Sequence, residues 1–249
     1  MTPRYSQALA LAAKAHEGQA RKGTAIPYIV HPVGVAGLVA QYGGDEDQQI
    51  AALLHDVLED GGPGFTAQVA LFGERVLHMV MGCTDAMPTA DGTKAPWEER
   101  KRTYLTHLME ADNDTLLVSG CDKLYNARAI LEDLRTTGPA VFERFSAGQA
   151  GTLWYYGQLA HVFERRGVAI AAALRHTVSA MERLATAWRT SAYFDTTLIC
   201  CTSSVDSPNV SLSNSPISST TVFWSTAAPC GNSSGSISTV ILPLASANS

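Results

Sequence analysis

His55-Asp56-Val57-Leu58-Glu59-Asp60 places one imidazole and three carboxylates within six consecutive residues. A His-Asp dipeptide alone says little, since composition predicts about 0.3 of them by chance in such a chain. The surroundings say more. On a helix, Glu59 follows His55 by four positions and Asp60 follows Asp56 by four, so the two pairs lie on adjacent strips of one helix. Their neighbours, Ala51-Ala52-Leu53-Leu54 and Val57-Leu58, are apolar. Ionisable groups in that setting suit a metal site with proton-transfer groups beside it better than a solvated surface.

A metal needs ligands from elsewhere in the chain. His31 stands at the start of an apolar helix, in Pro27-Tyr28-Ile29-Val30-His31-Pro32, and Asp122 follows the uncharged stretch Leu116 to Cys121. A buried carboxylate without a partner is costly, so Asp122 is expected to be paired or metal-bound. His31, His55, Asp56 and Asp122 together leave coordination positions open to water. This N/O set suits one divalent ion of the Mn²⁺, Fe²⁺ or Zn²⁺ kind better than Ca²⁺. His16, His78, His107, His161 and His176 have no comparable setting and are read as non-ligands. Arg21-Lys22, in a Gly-flanked loop, are candidates for ligand contact. Arg100-Lys101-Arg102 beside Glu98-Glu99 read by themselves as a solvated, ion-paired helix face. Arg165-Arg166, Arg175 and Arg183 read as surface charges.

The elements that position these groups read as helix after helix. Tyr5 to Glu17 is Ala-rich with apolar residues at helical spacing. Pro32 fits a first helical turn, and Val33 to Tyr42 carries an apolar face up to Gly43-Gly44. Asp45 caps a helix expected to run unbroken through Leu58 and to stop at Gly61-Gly62-Pro63-Gly64. Shorter helices follow at Thr66 to Phe72 and Glu74 to Met81, then a polar loop from Asp85 to Pro96. Trp97 to Glu110, Asp114 to Leu134, Gln149 to Arg165 and Val168 to Trp188 complete the series, with a turn at Pro139 to Arg144. No run alternates with period two for long enough to demand a sheet. The expected fold class is all-α, a helical bundle.

The charge distribution divides the chain. Of 41 charged residues, 39 lie in residues 1–189, and only Asp195 and Asp206 lie beyond. Residues 190–249 contain 24 Ser or Thr and no Lys, Arg or Glu. The expected organisation is therefore one folded domain over 1–189 and a Ser/Thr-rich tail over 190–249 that is disordered, weakly structured or foreign to the native fold. A net charge of -5 and a pI of 5.8 argue against bulk neutralisation of nucleic-acid phosphates. No apolar run approaches the ~20 residues of a membrane span, and the N-terminus lacks a signal-peptide layout, so a cytoplasmic location is expected. Five cysteines show no metal-knuckle spacing, and Cys83 and Cys121 read as reduced, buried thiols.

A resemblance gathers these observations. Gln19-Ala20-Arg21-Lys22-Gly23, Pro27 to Pro32, His55 to Asp60, Phe72-Gly73, Thr84-Asp85, Arg100-Lys101 and Asp122-Lys123-Leu124-Tyr125-Asn126-Ala127-Arg128 occur in the order seen in HD-domain metal-dependent phosphohydrolases. More narrowly, they resemble the RelA/SpoT-type (p)ppGpp hydrolase domain and the stand-alone small alarmone hydrolases. The resemblance implies that His31, His55, Asp56 and Asp122 hold one metal, Mn²⁺ in the family, and that Glu59 and Asp60 orient and deprotonate the attacking water. It further implies that Arg21 stacks on guanine with Lys22 near it, that Asn126 meets the ribose, and that Lys101 and Arg128 face phosphates. Tyr125 lines the nucleoside pocket or packs in the core.

The implied reaction is hydrolysis of the 3′-pyrophosphate of (p)ppGpp to GDP or GTP and pyrophosphate. NADPH 2′-phosphate removal on the same scaffold and a non-catalytic nucleotide-binding module are the alternatives. No synthetase domain follows residue 189, so a stand-alone hydrolase is expected. Two departures stand out. Gly120-Cys121 replaces the Leu-Ala common in relatives, and a helical glycine, costing ~1 kcal/mol against alanine, is expected to loosen the helix carrying Asp122. Gly61 to Gly64 replaces a threonine found after Asp60 in many relatives.

Overall fold

Three helix starts are written by short polar side chains. Thr2 caps α1 (Pro3–Ala15), where Pro3 occupies a first-turn position that needs no N–H donor. Asp45 and Gln48 form a reciprocal capping box at the head of α3 (Glu46–Leu54), with contacts of 3.0 and 2.8 Å. Asp112 accepts from the Thr115 N–H at 2.9 Å and opens α8 (Asn113–Thr137), which ends at Gly138 with φ +68°. The other helices are α2 (Val30–Gln41), α4 (Val57–Asp60), α5 (Thr66–Ala70), α6 (Glu74–Cys83), α7 (Trp97–Glu110), α9 (Gly148–Arg165) and α10 (Ala171–Thr202). Short 3₁₀ turns occupy Pro63–Phe65 and Gly138–Arg144.

The computed structural model describes residues 1–84 and 95–202. Among these residues there is no β-strand, only an isolated bridge between Ala20 and Pro27, and all the helices lie in one unit, Met1–Ser204. Most of the expected loop from Asp85 to Pro96 lies outside the described residues, as does the expected tail beyond Thr202. The last helix, expected over 168–188, begins at Ala171, and its backbone continues to Thr202, past the change of composition at Thr190. No helix among the described residues is long and apolar enough to cross a membrane.

The core forms around α8, which packs against α2, α3, α6, α9 and α10. Leu116, Leu124 and Leu134 of α8 are fully buried with Ile50, Leu53 and Leu54 of α3, Met79 of α6, Leu159 and Phe163 of α9, and Leu174 of α10. Each such side chain contributes roughly 1.5–3 kcal/mol through removal from water. A helix so enclosed cannot shift easily, and that fixes where its polar residues point. Cys83 and Cys121 are free, buried thiols.

Some sequence readings need correction. The helix expected from Asp45 through Leu58 breaks: α3 ends at Leu54 and α4 starts at Val57, leaving His55 and Asp56 in the interruption. The His55 ring Nδ1 lies 2.8 Å from the Ala52 carbonyl, the acceptor nearest to where another helical turn would close. Regular spacing then resumes, because the Asp60 N–H bonds the Asp56 carbonyl at 2.9 Å. Arg166 is also more than a surface charge. Its guanidinium donates to the carbonyls of Leu108, Met109 and Ala111 at 3.0, 2.7 and 2.7 Å, fastening the end of α7 to the end of α9.

Gly120 does not act as a loose point in α8. A Cβ there would lie 2.5 Å from Ile170 Cγ2 and 3.4 Å from Phe163 Cε1, both in fully buried side chains. The glycine lets α8 approach the start of α10 closely. Gly120→Ala gains about 1 kcal/mol of helix propensity but overpacks this contact by about 1–3 kcal/mol, so its melting temperature is expected to fall. A higher melting temperature would contradict the close-packing reading.

Candidate metal centre

Three separate parts of the chain deliver the ionisable groups. His31 sits in the first turn of α2, His55 and Asp56 in the break between α3 and α4, and Asp122 midway along α8. His31, His55 and Asp122 are 1%, 2% and 5% exposed. Their ligand atoms lie within 4.8 Å of one another. His31 Nε2 is 3.2 Å from His55 Nε2, 3.2 Å from Asp122 Oδ1 and 3.4 Å from Asp56 Oδ2. His55 Nε2 is 3.0 Å from Asp56 Oδ2 and 3.6 Å from Asp122 Oδ1. The structure thus groups His31, His55 and Asp122, with Asp56 set against both imidazoles.

The donor set fits a small divalent ion. Atoms bonded at about 2.1 Å in tetrahedral or octahedral arrangements stand roughly 3.0–3.4 Å apart, close to the separations found here. Nδ1 of His55 uses its proton on the Ala52 carbonyl, which leaves the Nε2 lone pair aimed at the centre. Two carboxylate oxygens and two ring nitrogens this close repel unless positive charge sits among them. In the metal-free protein that charge is protonic. Burial opposes charge on His55, but Asp56 and Asp122 outweigh it and hold its pKa well above the usual histidine range. Burial likewise opposes charge on Asp56, but His55 and His31 hold its pKa well below the usual carboxylate range.

Neighbouring groups orient these ligands. The Tyr28 hydroxyl donates to Asp56 Oδ2 at 2.6 Å. Burial and the Asp56 charge push its pKa far above the ordinary phenol value, so it stays a donor. Lys123 Nζ bonds Asp122 Oδ2 at 2.6 Å, and Asn126 Nδ2 bonds Asp122 Oδ1, also at 2.6 Å. Lys123 lies 5.1 Å from the centroid of the buried Tyr104 ring, whose hydroxyl pairs with Ser119 at 2.8 Å. Burial works against the Lys123 ammonium, yet Asp122 holds it protonated. Breaking a buried pair of this kind by removing one partner typically costs about 3–5 kcal/mol.

The remaining expected site residues surround this cluster to different degrees. Glu59 is half-buried and Asp60 exposed on α4, with Asp60 Oδ2 3.9 Å from His16 Nδ1. Arg21 donates to Asn126 Oδ1 at 2.8 Å, and Lys22 is exposed beside it. Tyr125 stands 5.2 Å from the His31 ring and packs over Gly34, where a Cβ would meet the Tyr125 ring at 2.2 Å. With Arg128, Gly37, Leu38 and Ala129 it lines a shallow groove of about 440 Å³ between α2 and α8. Lys101 belongs to a different helix, α7, with its ammonium 5.0 Å from the Tyr155 ring centroid.

Sequence reasoning gave no role to Tyr28, Lys123 or His16. Lys123 adjoins Asp122, Tyr28 precedes His31 by three positions, and both lie within the motifs that carry the resemblance. His16, read as a non-ligand, is 3% exposed, with its ring 4.8 Å from that of Tyr28.

An all-α bundle in which the central helix, the first turn of α2 and the break between α3 and α4 gather two imidazoles and two aspartates defines a protein with a candidate divalent-metal centre. The model of the HD-domain family matches residues 8–153, and the chain belongs to that family. It is 36% identical over 180 residues to the Xenopus tropicalis protein named guanosine-3′,5′-bis(diphosphate) 3′-pyrophosphohydrolase MESH1, covering 66% of this chain and 95% of that one. The Danio rerio protein of the same name is 38% identical over 122 residues, covering 47% of this chain and 63% of its own length. Escherichia coli K12 SpoT, named a bifunctional (p)ppGpp synthase/hydrolase, is 33% identical over 160 residues, 64% of this chain but 21% of SpoT. A Listeria monocytogenes EGD-e crystal structure shares the fold at a TM-score of 0.51 and 23% identity, covering 59% of this chain and 96% of that one.

Proposed function

We propose that the protein hydrolyses the 3′-pyrophosphate ester of guanosine 3′,5′-bis(diphosphate) alarmones, giving GDP or GTP and pyrophosphate. The approach of His31 and His55 to each other and to the Asp56 and Asp122 carboxylates at 3.0–3.6 Å carries this reading, with two carboxylates one helical turn further on. The names of the MESH1 relatives and of SpoT support the substrate.

His31, His55, Asp56 and Asp122 would hold one divalent ion of the Mn²⁺, Fe²⁺ or Zn²⁺ kind, and the resemblance to the HD-domain phosphohydrolases points to Mn²⁺ among these. Such an ion supplies Lewis acidity that makes water more acidic and offsets phosphate charge. Glu59 and Asp60 orient a water molecule and take its proton as its oxygen bonds the phosphorus attached to O3′. The bond between O3′ and phosphorus breaks, pyrophosphate leaves, and O3′ regains a proton. Arg21 stacks on the base with Lys22 beside it, Asn126 meets the ribose, and Tyr125 lines the nucleoside side. Lys101 and Arg128 face the phosphates, where cationic donors stabilise charge as it shifts.

A substrate comparison tests this proposal. With Mn²⁺ present, ppGpp is expected to yield GDP and pyrophosphate in equal amounts, well ahead of phosphate release from NADPH. Preferential phosphate release from NADPH would overturn the substrate. Stoichiometric Mn²⁺ binding with no turnover of either nucleotide would reduce the protein to a binding module.

A further inference from the structure

Arg21 reaches the centre from the loop between α1 and α2, and three of its neighbours each touch a different proposed metal ligand. Its Nη2 donates to Asn126 Oδ1 at 2.8 Å, and the Asn126 amide donates in turn to Asp122. Its guanidinium carbon lies 5.8 Å from the centroid of the Tyr28 ring, and the Tyr28 hydroxyl donates to Asp56. It lies equally far, 5.8 Å, from the Tyr125 ring, which stands against His31. One planar cation therefore borders the supports of Asp122, Asp56 and His31 together.

We infer that Arg21 is a positioning residue for the metal ligands in addition to its proposed contact with the nucleotide, so that base binding and metal binding are coupled through it. The inference rests on the metal-centre reading above. A guanidinium presents donors in a fixed plane and two faces to aromatic rings, so it holds several partners in register at once. Asn126 presents its oxygen to Arg21 and its NH₂ to Asp122; without Arg21 the amide has no such reason to keep that orientation. The two tyrosine rings likewise lose the cation they share. Because linkage is reciprocal, a ligand that orders Arg21 from the nucleotide side prepares the metal side, and the converse holds equally.

The sign of one measurement separates positioning from simple charge. Removing a nearby cation favours binding of a metal ion by Coulomb's law, whereas loss of positioning weakens it. Mn²⁺ is titrated into nucleotide-free wild-type protein, Arg21→Ala and Arg21→Lys, with free Mn²⁺ read by electron paramagnetic resonance. Arg21→Ala is expected to bind Mn²⁺ about five- to tenfold more weakly, at the low end for supports of metal ligands. Its melting temperature in excess chelator is expected to stay near wild type. Arg21→Lys keeps the charge but not the planar fork, and is expected to recover only part of the loss. Affinity in Arg21→Ala equal to or tighter than wild type would overturn the inference.

A second titration with saturating guanosine, which has no phosphate to offer the metal, reads the coupling itself. Guanosine is expected to tighten Mn²⁺ binding about fivefold in wild type and less than twofold in Arg21→Ala. A wild-type factor of one would overturn the coupling. Failure to hydrolyse ppGpp, with Mn²⁺ binding still weakened in Arg21→Ala, would remove the proposed reaction and leave this inference standing.

Discussion

Asp60→Asn is expected to lower the turnover of ppGpp by a factor of roughly 10² to 10⁴ while leaving Mn²⁺ affinity and melting temperature close to wild type. The substitution keeps the volume of the side chain and removes its capacity to take a proton. The Asp60 N–H bonds the Asp56 carbonyl, which ties this residue one turn beyond a proposed ligand. Its side chain is 34% exposed and lies outside the core, so little stability depends on it. Its carboxylate lies 3.9 Å from the buried His16 ring and acts electrostatically on Tyr28, which places it at the rim of the centre. Single-turnover rates measured with Mn²⁺ titrations on the same samples check this directly. A rate within threefold of wild type would remove Asp60 from the proton transfer and leave Glu59 as the base.

His55→Ala carries the largest expected effect on metal binding, a loss of 10²-fold or more, since second-sphere changes alone cost about 10–100-fold. His55 is 2% exposed, its Nδ1 is committed to Ala52, and its Nε2 stands nearest to Asp56. His31, the other imidazole of the cluster, faces it at 3.2 Å. Removing the ring also creates a cavity, so the melting temperature of the variant falls without metal as well. The informative quantity is the metal-dependent increment. Wild-type protein at Mn²⁺ 100-fold above its Kd gains about 2.7 kcal/mol, and His55→Ala is expected to gain almost none at the same concentration. An equal increment in both proteins would place Mn²⁺ elsewhere.

The residues that need a particular chemistry were readable from sequence, while those that depend on packing were not. His31, His55, Asp56 and Asp122 stand out because charged groups within apolar stretches require a reason, and the helix before His55 is marked by its cap Asp45. The break at His55 was not readable. It falls where the His55 ring meets the Ala52 carbonyl, a local side-chain contact that periodicity does not register. Lys123 and Arg166 are ordinary cations in sequence, and only burial beside Asp122 in one case, and the approach of the α7 C-terminus in the other, gives them their work. Gly120 teaches the same lesson with the opposite sign. Helix propensity marks it as a weak point, whereas the neighbouring Ile170 requires a residue without a Cβ.

The centre and the reaction stand or fall together in one experiment. Chelator-stripped protein is titrated with Mn²⁺ while GDP and pyrophosphate release from ppGpp is followed, with His55→Ala alongside. The account predicts no turnover without metal, activity that rises and levels off at one Mn²⁺ per chain, equal amounts of the two products, and a flat response from His55→Ala. Turnover that persists in the stripped protein, or that rises equally in His55→Ala, would contradict it.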